Sequence, residues 1–306
     1  MTDAVPAQEA AAVPARARPG AEREDGGSHL RSIGLTVPAT LVVAAVLGLP
    51  LLLLFRYSLN QYDRYDMMIE AFTLANYAAI VNDAFFRNVL LRTIAIAAVS
   101  TAITAVLAFP VAYFIARAPA RWKSPLIICV VFPLLVGNLV RAAGWMAVMG
   151  NRGFLNQALI GLGITAEPIE ILYTPTAVVT GIVAVVLPFM ILTLQSVIEN
   201  IDPSLEEAAG SLGARPLTTF RRVVLPLAMP GVVAGTALVF ILCMNAYATP
   251  VLLGGPRFHV MGPQVYNQIV GQSNWPFGGA LAFVLMATTL VLTLLSTTFI
   301  QRRYRR

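Results

Sequence analysis

Asp202-Pro-Ser-Leu-Glu-Glu-Ala-Ala-Gly-Ser-Leu-Gly213, continued by Ala214-Arg-Pro-Leu-Thr-Thr-Phe-Arg-Arg222 and Val223-Val-Leu-Pro226, is a polar island between two apolar runs. Asp202 is a helix cap in front of Pro203 at the first helical position, and Glu206 and Glu207 follow near the positive N-terminal end. Gly213 suits the left-handed residue that stops a helix. A second short helix is predicted from Pro216 into the apolar run beyond. The island is too short and too polar to cross a bilayer. It displays small residues at Ala208, Ala209 and Gly210, which another surface can approach closely.

The flanking runs, about Thr176 to Val197 and Pro226 to Ala248, are two of six. The others are about Ile33 to Phe55, Thr93 to Ile115, Pro125 to Met149 and Phe277 to Ile300. At ~1.5 Å per residue each is long enough to cross roughly 30 Å of hydrocarbon as a helix. Composition agrees. The chain is 58% hydrophobic and 12% charged, with a mean hydropathy of +0.75, whereas a soluble domain carries roughly 25% charged residues. The fold class predicted is an all-α integral membrane protein with six transmembrane helices. Pro38, Pro50, Pro110, Pro133, Pro188 and Pro230 lie in or near the runs and predict kinks, which membranes tolerate where neighbouring helices satisfy the freed carbonyls.

Residues 1–30, rich in Ala, Pro, Arg, Glu and Gly, cannot bury enough surface to offset the entropy of ordering and are expected to form a disordered tail. Residues 31–306 form the membrane domain, with the loop 199–226 inside it. Arg and Lys set the orientation, because loops on the cytoplasmic side retain positive charge. With the N-terminus inside, the inner set contains Arg16, Arg18, Arg23, Arg31, Arg117, Arg121, Lys123, Arg215, Arg221, Arg222 and the arginines from Arg302 to Arg306. The outer loops keep Arg64, Arg87, Arg152 and Arg257 together with acidic Asp63, Asp66, Glu70, Asp83, Glu167 and Glu170. Both termini are therefore expected to be cytoplasmic. Scattering of the basic residues between apolar blocks argues against a nucleic-acid partner despite the net charge of +6. Cys129 and Cys243 sit in apolar runs without His or Cys neighbours at ligand spacing and read as small core residues, neither metal site nor disulfide.

Glu207, Ala208 and Ala209, then Gly213, then Val223, Leu225 and Pro226 match a loop pattern in which Glu-Ala-Ala, three residues, Gly and nine residues precede a branched aliphatic, any residue and Leu-Pro. In this the chain resembles the permease subunits of binding-protein-dependent ABC importers. Phe72-Thr-Leu-Ala-Asn-Tyr77, Asn138-Leu-Val-Arg141, Gly153-Phe-Leu-Asn156, Tyr173-Thr-Pro175 and Trp275-Pro-Phe-Gly278 extend the resemblance to most of residues 35–300, in particular to the first permease subunit of spermidine/putrescine-type importers. The resemblance implies a type I importer fold in the bacterial inner membrane. It also implies a second, similar permease as a heterodimer partner, two ATP-binding subunits and a periplasmic substrate-binding protein. Glu207 to Gly213 would then be the coupling helix seated in the ATPase, and the cargo a polyamine. Other small solutes, such as an amino-acid conjugate, an opine-like compound or a metal chelate, remain alternatives.

The single lysine, Lys123, is followed by Ser124 but preceded by no glycine, so the chain has no phosphate-cradling loop, and ATP is to be hydrolysed by another polypeptide. No catalytic residues and no cofactor are expected of this chain. An ion-coupled carrier is the competing class; such proteins place Asp, Glu or His within spans, and none of the six runs contains one. Arg141 is the ionisable residue well inside a run. It reads either as a pathway residue or as an anchor that snorkels to headgroups. Asn138, Trp145, Asn245 and Tyr247, with Gln195 and Trp275, are candidates to line the path; amides also join helices, and aromatics also anchor at interfaces.

Overall fold

A computed structural model describes the backbone of residues 26–65 and 67–304, with side chains over 37–38, 40–65 and 67–298. The expected tail lies outside the described residues up to residue 25. The chain divides into two compact units, residues 1–52 and 53–306. The described part of the first is most of helix α1 (Gly26–Ser58), which carries Pro38 and Pro50. Its Leu41, Val46 and Leu52 are exposed, as a helix bathed in acyl chains requires.

In the second unit the end of α1 leads through a loop to α2 (Ala75–Asn82) and α3 (Ala84–Arg117). Asn76 pins the chain reversal by donating from Nδ2 to the Ser58 and Asn60 carbonyls, both at 2.8 Å, while Ser58 Oγ and Tyr77 Oη meet at 2.7 Å. Asp83 caps α3 by accepting from the Phe85 N–H at 2.8 Å. There follow α4 (Ala120–Val131), a 3-10 turn (Phe132–Leu135), α5 (Asn138–Met149) and α6 (Phe154–Gly161). Next come α7 (Pro175–Glu199), α8 (Ser204–Ser211), α9 (Pro216–Thr219) and a π turn (Phe220–Val224) that opens into α10 (Leu225–Met244). Finally α11 (Ala248–Gly254), α12 (Met261–Tyr266), a second π turn (Asn267–Gly271) and α13 (Trp275–Tyr304) close the chain.

Among the described residues five helices are long and apolar enough to cross a membrane. The third expected span is the exception: it is a bent pair, Ala120–Leu135 and Asn138–Gly161, meeting at 94°. Pro133 has no N–H to give and its ring excludes the carbonyl four residues back, so the helix tightens into a 3-10 turn and ends before Gly137. The fifth run is also shorter than expected, because α10 stops at Met244. Asn245 Nδ2 takes up the Ile241 carbonyl at 2.9 Å, and Pro250 in α11 forbids a helical bond to Ala246.

Helix α7 is the most enclosed span and packs on α3 and α10. The face of α3 against this core is built from small residues, among them Ala97, Ser100, Thr104, Ala108 and Ala112. On α10, Gly231 and Gly235 lie one turn apart under Val197 and Met190 of α7; a Cβ at Gly231 would stand 2.9 Å from Val197 Cβ. Such close approach is how membrane helices associate when lipid is as apolar as their side chains. Val197 is β-branched and cannot swing aside. Gly231→Val is therefore expected to destabilise the solubilised protein by about 1–3 kcal/mol, read as a lower thermal aggregation temperature; an unchanged temperature would refute this packing. In the connection to α7, buried Asn156 donates to the Gly150 and Ile169 carbonyls at 3.1 and 3.0 Å and accepts from Ile169 N–H at 2.9 Å.

Candidate functional site

Two places gather the residues singled out by the sequence. The first is the loop between α7 and α10. Asp202 Oδ1 accepts from the Ser204 N–H at 2.9 Å, so the cap forms with α8 starting one residue later than expected. That bond holds the Asp202 carboxyl below the usual carboxylate range. The cap is thus complete at neutral pH and is lost on acidification through the lowered value. At the other end Gly213 has φ +81°; its N–H reaches the Gly210 carbonyl at 2.9 Å and Ala214 N–H reaches Ala209 at 3.1 Å. This paired closure satisfies carbonyls that would otherwise be orphaned.

Glu207, Ala208, Gly210 and Gly213 are exposed, and Ala209 is half-buried. Leu212 and Leu217 stand 90% and 76% exposed beside them, an apolar addition that the loop pattern alone did not single out. Val223 and Leu225 are half-buried and Pro226 is exposed where the π turn enters α10. Beneath α8, Glu206 turns the other way. Its carboxylate accepts from Arg117 Nε at 2.8 Å, from Arg117 Nη2 and from the Tyr113 hydroxyl, while Arg117 Nη1 donates to the Ile201 carbonyl at 3.1 Å. Sequence reasoning treated Glu206 as a dipole partner and Arg117 as an orientation charge. The only local hint was that adjacent residues on a helix lie about 100° apart, so Glu206 and Glu207 cannot share a face.

The second place is a cavity of about 610 Å³ between α5, α7 and the α10–α11 break. Asn138, Arg141, Asn245 and Tyr247 all line it, with Ile182, Val186 and Phe189 on the α7 side. Arg141 Nη2 donates to Asn138 Oδ1, and its Nε and Nη1 are shut off from solvent with no hydrogen-bond partner. No carboxylate is among the lining residues. Asn245 and Tyr247 also border a second, largely apolar cavity of about 620 Å³ between α10, α12 and α13, where the Tyr247 and Tyr266 rings lie 4.9 Å apart. Trp145 is not brought to either cavity; it is half-buried against the core. Gln195 is buried and donates to Glu199, which pairs with Lys123 at 2.7 Å. Among the described residues no three His, Cys, Asp or Glu cluster as metal ligands would.

Residues 71–306 match the family described as binding-protein-dependent transport system inner membrane component. The spermidine/putrescine transport system permease protein PotB of Escherichia coli is 35% identical over 237 residues, covering 78% of this chain and 86% of that protein. Its counterpart in Haemophilus influenzae is 35% identical over 242 residues, covering 78% and 84%. The inner membrane ABC transporter permease protein YdcU of Escherichia coli is 33% identical over 256 residues, 79% of each chain. Among solved structures, a chain of a bacterial alginate ABC transporter in complex with an alginate pentasaccharide-bound periplasmic protein superposes with a TM-score of 0.70 at 15% identity, covering 91% of this chain and 96% of that one. A chain of the MetNI methionine ABC transporter in an inward-facing conformation gives 0.51 at 18% identity, covering 73% and 98%.

Proposed function

Because the chain belongs to the family of binding-protein-dependent transport system inner membrane components, and is thus the membrane-embedded permease of an ABC importer, we propose that its cargo is a polyamine such as putrescine or spermidine. The observation that carries this reading is 35–36% identity with spermidine/putrescine permeases across 78% of this chain. The permease pairs with a second, similar chain, is driven by two ATP-binding subunits and receives solute from a periplasmic binding protein. Both termini face the cytoplasm, which puts α8 on the side where ATP is hydrolysed. Glu207 to Gly213 dock in the ATPase, with Val223, Leu225 and Pro226 forming the stem that enters α10. Asn138, Arg141, Asn245 and Tyr247 border the path.

One observation favours a second cargo. Arg141 borders a cavity without a carboxylate, and a cationic lining suits a carboxylate-bearing solute such as an amino-acid conjugate better than a polycation. Proteoliposomes holding the full importer decide between them when supplied with binding protein and radiolabelled putrescine, spermidine or amino-acid conjugates. ATP-dependent accumulation of a polyamine is the expected result. Accumulation of the carboxylate-bearing solute instead would discard the polyamine and keep the importer.

A further inference from the structure

The helix proposed to dock in the ATPase has two exits into the bundle, and they differ in construction. One runs along the chain through α9 into α10 and passes the π turn Phe220–Val224, a stretch of wider and weaker hydrogen bonding. The other runs through side chains. Arg117, the last residue of α3, grips Glu206 through Nε and Nη2 and the Ile201 carbonyl through Nη1; Tyr113, one turn back, closes on the second carboxylate oxygen. Phe220 packs edge-on against Phe109 and Tyr113 of the same helix, with ring centroids 5.1 and 6.1 Å apart. After two intervening residues, Ala118 and Pro119, helix α4 begins, and its Lys123 is tied to Glu199 at the root of the loop at 2.7 Å.

A lone exposed ion pair would transmit little. This one is two-pronged, only 20% and 18% exposed, and backed by a third donor, which fixes direction as well as distance. We propose that Arg117, Glu206 and Tyr113 form the joint through which displacement of α8 reaches the membrane. The push enters α3 and α4 and arrives, past the bend at Gly137, at α5 and the cavity bordered by Asn138 and Arg141. These three act as positioning residues; Glu206 turns away from the exposed face that Glu207 occupies. The proposal rests on the reading of α8 as the ATPase-docking helix.

The test uses the reconstituted importer with Arg117→Gln, Glu206→Gln, and the charge exchange Arg117→Glu with Glu206→Arg. Two quantities are read: solute moved per ATP hydrolysed, and the amount of ATPase that co-purifies. Each single variant is expected to retain the ATPase and to lose about tenfold in solute moved per ATP, within the range of couplings between distant sites; the exchange is expected to recover most of it. Single variants within twofold of the native ratio overturn the joint. So does loss of ATPase co-purification, which would place Glu206 in the docking face, and so does a charge exchange that recovers nothing. A Glu207→Ala sample separates the two readings: native uptake there strikes down the docking assignment, whereas native ratios confined to positions 117 and 206 strike down the joint alone.

Discussion

Uptake falls about a hundredfold when Glu207→Ala is combined with Gly213→Val, a size set by the ~2–5 kcal/mol that one side of a buried charged contact is worth across an interface. Glu207 is exposed, its side chain has no partner within the described residues, and its neighbours Ala208 and Gly210 leave room for another backbone. Its carboxylate is free for an outside group, in contrast to that of Glu206. Gly213 holds a φ of +81° that a β-branched residue tolerates poorly, at roughly 1–2 kcal/mol of strain. Valine there unseats the closure made by Gly210 and Ala209 and lets the last turn of α8 fray. The expected companion result is reduced co-purification of the ATPase with an unchanged melting profile of the permease, since the loop is outside the core. Uptake near the native level in the double variant would end the coupling assignment for this loop.

Arg141→Ala is expected to lower uptake roughly thirtyfold, the equivalent of a charged hydrogen bond of about 2 kcal/mol lost from the path, while leaving the thermal midpoint unchanged or higher. The reasoning is from cost. Arg141 leaves Nε and Nη1 without solvent or partner, and an under-satisfied guanidinium beside apolar α7 side chains weakens a fold rather than supporting it. Removing it relieves that cost, so its presence calls for a use outside folding. Asn138, its hydrogen-bond partner, orients it, and Asn138→Ala is expected to give a smaller loss in the same direction. Native uptake combined with a lowered midpoint would identify Arg141 as an anchor instead.

Much of this was legible before the structure because it is local. Asp202, Pro203 and Gly213 carry the start and stop of α8 in residues that touch their own backbone, and five of the six apolar runs hold a helix long enough to cross a membrane because length and hydropathy decide that question in a bilayer. The third run failed because hydropathy is blind to a missing hydrogen bond: Pro133 and Gly137 interrupt the helix without interrupting the apolar pattern. Arg141 is likewise not on a helix that runs straight from Pro125, since α5 starts anew at Asn138 after a 94° turn. What joins Glu206 to Arg117 lies 89 positions away along the chain, and no periodicity reports on such a distance. The cavity is of that kind too: Asn138 and Arg141 come from one bent run, Asn245 and Tyr247 from the end of another, and only packing on α7 brings them to one space. Trp145 shows the converse, a residue type suited to a path that the helix turns into the core.

The bend at Gly137 has a consequence for the order in which the protein is made. Helix α5 rests on α7 and α11, and both leave the ribosome after it. When residues 125–149 reach the insertion machinery they present a predominantly apolar stretch, interrupted by Asn138 and Arg141, and neither surface on which to fold over. The corner therefore acquires the last of its support only after Gly254 has been synthesised, and a nascent chain stopped before α11 lacks one of the surfaces on which α5 and its Arg141 rest.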